Sequence, residues 1–258
     1  MLNLKRDYDA YLFGLILADG SLYFNTRNRG KVQIELSYKD KDILESIQEK
    51  FYITSYLSSR IRTTQFKTDF QTVIWSCHQL KFREDLIKLG MPRTNKSINA
   101  KTPNIEYNMA AFWRGFIDGD GSIGFTGNNQ PFISVVIKSS KLAKEYLMFL
   151  EDEFNITKIL NPNKRDKVYN ITIKNEDAIS LGDYIYENST IQLERKYKKY
   201  LEFKDWNRTV PKINSRTWTS EEDVFILDNS VEDSMKTLNR TKNSVKTRLW
   251  RLKSPGRG

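Results

Sequence analysis

The chain reads as an α+β fold: a pseudo-twofold pair of αββαββα half-domains with antiparallel sheets, followed by a small three-helix domain. Three observations lead there. A nine-residue motif occurs twice, as LFGLILADG at 12–20 and WRGFIDGDG at 113–121, each with Gly third, a small residue seventh, Asp eighth and Gly ninth. The same succession of helical and alternating segments follows each copy. The C-terminal part then breaks away after Pro211, Asn214 and Ser215 into three short helical segments.

Each motif predicts the end of an apolar helix. The first half continues with strand patterns at 21–27 and 31–38, an amphipathic helix at 40–51, strands at 55–64 and 71–77, and a helix at 81–89. The second half repeats the order: strands at 122–126 and 132–137, a helix at 140–154, strands at 158–162 and 168–174, and a helix at 176–186. Each half closes on a lysine-bearing segment, MPRTNKS at 91–97 and LERKYKKY at 193–200. Strands in consecutive pairs predict antiparallel hairpins rather than an alternating parallel sheet. Pro103 marks the junction, so the expected domains are 1–103, 104–208 and a tail at 209–258. In the tail, Thr219 and Glu222 are spaced as a capping box ahead of a first helix, with further helices at about 231–238 and 241–252.

Composition limits the chemistry. The 258 residues carry a net charge of +10, with 12% aromatics, which points to a polyanion such as nucleic acid. One cysteine, Cys77, excludes an internal disulfide and a multi-cysteine zinc site, and it suits a reducing intracellular compartment. One histidine, His78, lies in a strand-like run and is read as structural. Hydrolytic chemistry must then come from carboxylates, lysines and a hard metal ion. The N-terminal MLNLKRDYDA shows no basic start followed by an apolar run, so no secretory leader is expected. Apolar stretches fall far short of the ~20 residues needed to span a bilayer, so no membrane partner is expected.

The motif helices themselves carry the sharpest signal. Gly14 with Ala18, and Gly115 with Gly119, stand four apart on one helix face, where small residues let two backbones approach. Each helix then ends in Asp-Gly. Asp19 and Asp120 are 101 positions apart, and an Asp at a helix C-terminus faces the partially negative carbonyl end. Gly20 and Gly121 suit the residue after a helix end. If the helices pack in parallel about a pseudo-dyad, the two carboxylates meet, repel and raise a pKa. A divalent cation relieves that repulsion, and oxygen ligands beside phosphate favour Mg²⁺.

LFGLILADG and WRGFIDGDG resemble the paired motifs of single-chain LAGLIDADG homing endonucleases, and the repeat units match that family over about residues 5–205. The resemblance implies that the motif helices form the interface between halves and that the two sheets form a DNA-binding saddle over the major groove. It implies that Asp19 and Asp120 bind metal and that both strands are cut across the minor groove, leaving short 3′ overhangs. Lys96 and Lys196 match places where the family often has a basic residue near the active site, suited to stabilising charge on the reacting phosphate. Motif 1 departs at its sixth position, Leu17, where motif 2 has Asp118; Asp118 is read as structural. Some relatives place a water-ordering Gln before the second helix of each half. Here those places read Tyr38–Lys39 and Ile137–Lys138, which leaves that role unassigned.

Candidate DNA contacts on the strands and turns are Tyr23, Asn25, Arg27, Gln33, Glu35, Arg60, Arg62, Gln65 and Lys67 in the first half. In the second half they are Asn128, Gln130, Ser134, Lys138, Lys164, Arg165, Asn170 and Lys174. Arg and Lys suit guanine edges, Asn and Gln adenine edges. In the tail, residues 239–258 hold seven basic residues and no Asp or Glu. Arg240, Lys242, Asn243, Lys246 and Arg248 are its candidates. TWTSEED, with Trp218 and the later Trp250, resembles a Myb/SANT-like helix-turn-helix. The expected protein is a monomeric endonuclease of a mobile genetic element, acting on a long asymmetric double-stranded DNA target. Its expected place is the cytoplasm or nucleoid of a bacterial or phage-infected cell, or an organelle. An RNA-binding intron maturase and a non-cleaving DNA-binding regulator are the alternatives, and intron RNA is a second possible partner.

Overall fold

The computed structural model describes residues 2–51, 53–63, 69–208 and 218–253. The chain forms two compact units, Met1–Arg208 and Thr209–Gly258. In the first unit the elements run α1 (Asp7–Ala18), β1 (Gly20–Phe24), β2 (Gly30–Ser37), α2 (Lys41–Lys50), β3 (Ser55–Arg62), β4 (Phe70–Cys77), α3 (Leu80–Lys88) and the short α4 (Lys96–Asn99). The second copy follows as α5 (Met109–Asp120), β5 (Gly121–Phe125), β6 (Pro131–Ile137), α6 (Ser140–Phe154), β7 (Tyr169–Lys174), α7 (Glu176–Tyr186) and α8 (Glu194–Leu201).

Helices α1 and α5 lie at the centre. Ala10 to Leu17 of α1 are all buried, which matches a helix that is apolar on every side. The two helices touch backbone to backbone. A Cβ on Gly14 would run into the carbonyl oxygen of Phe112, and one on Gly115 into that of Tyr11. One apolar core spans both halves, from Leu4 and Trp75 in the first to Trp113, Phe149 and Tyr200 in the second. It buries the surface that holds the halves together.

Both sheets are antiparallel. The first has the order β1-β2-β4-β3 and the second β5-β6-β7. In the first, Val32, Ile34, Val73 and Trp75 alternate into the core. Gly20 pairs with Ile34 and Gly121 with Val135, so the two hairpins share a register and Ser37 corresponds to Lys138.

The structure corrects the sequence reading in two places. The strand predicted at 158–162 is not formed, so the second half is αββαβα. Asn155 turns left-handed after α6, and Pro162 has no N–H to give a ladder, which suits loop better than central strand. Gly20 and Gly121 do not close their helices in a left-handed turn. Each opens a strand that folds straight back, and a Cβ there would lie 2.5 Å from the carbonyl oxygen of Ile16 or Ile117.

The second unit holds α9 (Ser220–Asp228), α10 (Val231–Leu238) and α11 (Lys242–Lys253). The capping box at its start is formed by Thr219 and Glu222. Ile226 and Val245 are its fully buried apolar residues among those described.

Candidate metal and nucleic-acid site

Asp19 follows the last residue of α1, and Asp120 is the last residue of α5. The close helix pair brings both ends together. Asp19 Oδ2 lies 3.3 Å from where a Gly119 Cβ would stand, and that same Cβ would meet Ala18 Cβ, so the carboxylate of one half rests against the helix of the other.

Two lysines hold these helix ends. Lys96 Nζ donates to Ile16 O at 2.8 Å and Ala18 O at 2.6 Å. Lys196 Nζ donates to the oxygens of Ile117, Asp118 and Gly121, each at 2.7 Å. These carbonyls lie at or just past a helix C-terminus, where a cation is favourable; Ile16 O and Ile117 O also accept the backbone N–H of Asp19 and Gly121. Each lysine therefore offsets the negative helix end against which its Asp would otherwise stand. Burial pulls both ammonium groups down to about 8, against the nearby aspartates.

Both residues are exposed to solvent, and the packed helix ends still desolvate part of each carboxylate. That partial desolvation, reinforced by Asp19, pushes Asp120 up to about 6 against the pull of Lys96 and Lys196. Desolvation also raises Asp19, opposed by Lys196, Lys96 and Arg195. Among the described residues neither side chain accepts a hydrogen bond or joins an ion pair. Two crowded carboxylates without partners fit a hard divalent cation. No group of three His, Cys, Asp or Glu side chains able to hold a metal occurs among the described residues. The remaining oxygens would come from water, backbone and phosphate, as Mg²⁺ commonly takes them.

Asp118 has a different environment. It is buried and accepts from Tyr11 OH at 2.9 Å, Tyr186 OH at 2.6 Å and Leu193 N at 2.7 Å. Burial raises its pKa despite Lys196 and these donors. It ties α1, α7 and the 185–193 segment to α5. Arg114, also buried, adds bonds to Ile191 O, Ile185 O and Asp7. Asp118→Leu, which copies motif 1, strands two phenols and an N–H and is expected to cost about 3 kcal/mol in a denaturant titration.

Strand alternation places Tyr23, Gln33, Glu35 and Arg60 on the outer face of the first sheet, with position 62 on the same face by register. Asn25 and Arg27 lie in the β1–β2 turn, where Arg27 is left-handed. Gln65 and Lys67 lie outside the described residues. Ser134, Asn170 and Lys174 share the outer face of the second sheet, and Lys138 follows the last residue of β6. Asn128 and Gln130 lie at its hairpin turn, and Lys164 and Arg165 in the loop before β7. Glu35 is paired within the sheet: Arg60 donates to both its oxygens, and Thr72 Oγ1 to one at 2.8 Å. The sequence reading missed Lys31 and the exposed Tyr56 on the same face, both marked by strand parity. It also missed Arg195, which holds the buried Asp40 at 2.9 Å across the two halves; no local pattern announces that pair.

In the second unit Asn243 and Lys246 are exposed on α11, and Lys242 meets Glu232 at 3.2 Å. Arg240 is packed over the Trp218 ring and paired with Glu222, and Arg248 with Asp223. These two arginines hold the three helices together.

A duplicated α+β unit, closed by a tight central helix pair that gathers two helix-end aspartates, defines a class of pseudo-symmetric proteins with one shared acidic centre. The chain belongs to the LAGLIDADG family: the model described as LAGLIDADG-like domain matches it twice, at residues 7–87 and 108–195. A solved structure of the homing endonuclease I-WcaI bound to its DNA recognition sequence is 15% identical, with TM-score 0.55, covering 78% of this chain and 88% of that one. I-SmaMI, bound to uncleaved DNA target in the presence of calcium ions, is 12% identical, with TM-score 0.48 and coverage of 76% and 90%. I-GzeII in complex with its DNA target is 18% identical, with TM-score 0.46 and coverage of 78% and 88%.

Proposed function

We propose that this protein is a site-specific homing endonuclease that hydrolyses both strands of a long, asymmetric double-stranded DNA target, leaving short 3′ overhangs. The pairing of Asp19 with Asp120, crowded together and without hydrogen-bond or ion-pair partners among the described residues, carries the reading. A divalent cation, Mg²⁺ in the cell, would be held by these two acids and would supply Lewis-acid polarisation of a phosphate and a more acidic water. The chain's own residues do the rest. Gly14, Gly115 and Gly119 allow the approach that brings the acids together. Lys96 and Lys196 keep the helix ends electrostatically tolerable. The polar outer faces of the two sheets form the DNA saddle, and the basic tail acts as a Myb/SANT-like helix-turn-helix that adds phosphate contacts. The protein works as a monomer inside the cell; among the described residues no helix is long and apolar enough to cross a membrane.

The test is a cleavage selection on a randomised duplex library with Mg²⁺, run beside a chelator control. Recovery of one long asymmetric sequence, cut on both strands only with metal, is the expected result. Binding without cutting would favour a DNA-binding regulator instead.

Two further outcomes follow. A proton on Asp120 competes with the cation below its raised pKa of about 6. Ca²⁺ affinity measured by calorimetry should therefore climb about tenfold per pH unit up to that value and level off above it. Flat affinity between pH 5 and 7 would remove Asp120 from the site. Truncation after Arg208 should weaken DNA binding and flatten its salt dependence, by about 0.9 in log–log slope for each lost phosphate contact. An unchanged slope would take the tail off the DNA.

A further inference from the structure

The turn between β1 and β2 carries Arg27 and Arg29, both exposed and without an ion pair among the described residues. Its backbone is not one that arginine favours. Arg27 and Asn28 are both left-handed, at φ 55° and 58°. Asn tolerates that region, whereas Arg meets a steric penalty there. Two backbone bonds close the turn, Asn25 N to Arg29 O at 2.8 Å and Arg29 N to Thr26 O at 3.2 Å. Further support comes from outside the hairpin. Arg83, on α3, is fully buried, and its Nη atoms donate to Gly30 O and His78 O at 2.7 Å and to Asn28 O at 2.6 Å. Its Nε has no acceptor, and no carboxylate pairs with it, among the described residues. A guanidinium buried without an acid is costly. What this one supplies is geometry: a planar fork ties the turn to the end of β4 and to α3. Strand β1 starts at Gly20, next to Asp19, and runs to Phe24, so the turn stands at the strand end remote from the acidic centre.

We propose that Arg83 is a positioning residue for DNA recognition: it holds the β1–β2 turn in the pose from which Arg27 reads a base edge, and so sets the base preference beneath that turn. The inference rests on the DNA-saddle reading and names a residue, itself out of reach of DNA, on which the specificity of that saddle depends. A long side chain on a free turn samples many poses, and a base contact must then order backbone and side chain together. A turn fixed in advance leaves only the Arg27 side chain to order, and its planar donors match O6 and N7 of guanine. The effect of Arg83 passes through the carbonyls of Asn28 and Gly30.

The test uses the full-length protein and a duplex chosen from a random library by binding in EDTA, so that it does not depend on cutting. Affinity is measured for that duplex and for every single base-pair substitution across it, with wild type, Arg83→Met, Arg27→Ala and the double variant. Arg83→Met keeps the length and the apolar stem and removes the fork. It should flatten the base preference about tenfold in one block on one side of the centre, and change preferences elsewhere less than about twofold. Arg27→Ala should flatten the same block, and the double variant should be no flatter than Arg27→Ala alone. Misfolding cannot mimic this, because a smaller active fraction scales every affinity alike and leaves the ratios untouched. Should Arg83→Met not fold, Arg83→Lys, which keeps the charge without the planar fork, gives the same comparison with a smaller change. Ratios that are unchanged in the Arg83 variants, that fall evenly along the duplex, or that add to the effect of Arg27→Ala would overturn the proposal. A wild type without sequence preference would sink the saddle reading on which it rests.

Discussion

Asp19→Asn and Asp120→Asn will each reduce double-strand cleavage by about a thousandfold or more, while DNA binding in EDTA persists. The carboxylates sit at one place, not at two separate ends, so under the proposed function either substitution removes one of the two anionic ligands of a shared metal centre. An amide keeps the shape and one oxygen but loses the charge that binds a hard cation and acidifies its water. The same change removes the repulsion and desolvation that hold Asp120 at about 6. The metal-free Asp120→Asn protein should therefore melt no lower than wild type near neutral pH. Loss of cutting with unimpaired melting separates a chemical role from a folding one. The measurements are single-turnover cleavage, gel-shift affinity without metal, and thermal unfolding. If both variants cut at the wild-type rate, the acids are not the site.

The pairing of these acids was legible because the motif is duplicated. Asp-Gly alone is common turn chemistry, but two copies in matched contexts specify a dyad, and the Gly14/Ala18 and Gly115/Gly119 spacings specify how closely it packs. Strand parity likewise placed Gln33, Ser134 and Asn170 on outer faces, because a period of two survives without tertiary information. Other features depend on groups far apart in sequence. Nothing near Lys196 indicates that its ammonium reaches the carbonyls of Ile117, Asp118 and Gly121, since those acceptors are backbone. The pairing of Glu35 with Arg60 depends on β2 and β3 flanking β4, and the packing of Arg240 on Trp218 depends on the three-helix closure. The missing strand at 158–162 turned on backbone that apolar residues such as Ile159 and Leu160 disguised; Ile159 stands 87% exposed.

Gly115→Ala is expected to be among the most damaging single methyl additions in the molecule. A Cβ there would lie 2.1 Å from Tyr11 O, and the opposing atom is backbone in a buried helix rather than the end of a flexible side chain. Relief requires α1 and α5 to separate, and that opens gaps along the whole interface, because close-packed cores absorb such shifts poorly. The better intrinsic helix propensity of Ala, worth about 1 kcal/mol, works in the opposite direction and is too small to compensate. A net loss of about 4 kcal/mol, or roughly 10 °C in Tm for a unit of this size, is the expected outcome. Gly14→Ala should behave alike, since its Cβ would lie 2.2 Å from Phe112 O. Gly127→Ala, where nothing lies within 4 Å, is the control and should shift stability by less than about 0.5 kcal/mol. The stability loss also has a functional signature. Asp19 rests against Gly119, so any separation of the helices widens the acid pair. Gly115→Ala protein that remains folded at low temperature should therefore bind Ca²⁺ more weakly than wild type. An unchanged Tm would mean that the helices can move apart freely, and the account of how this fold brings its two acids together would fail with it.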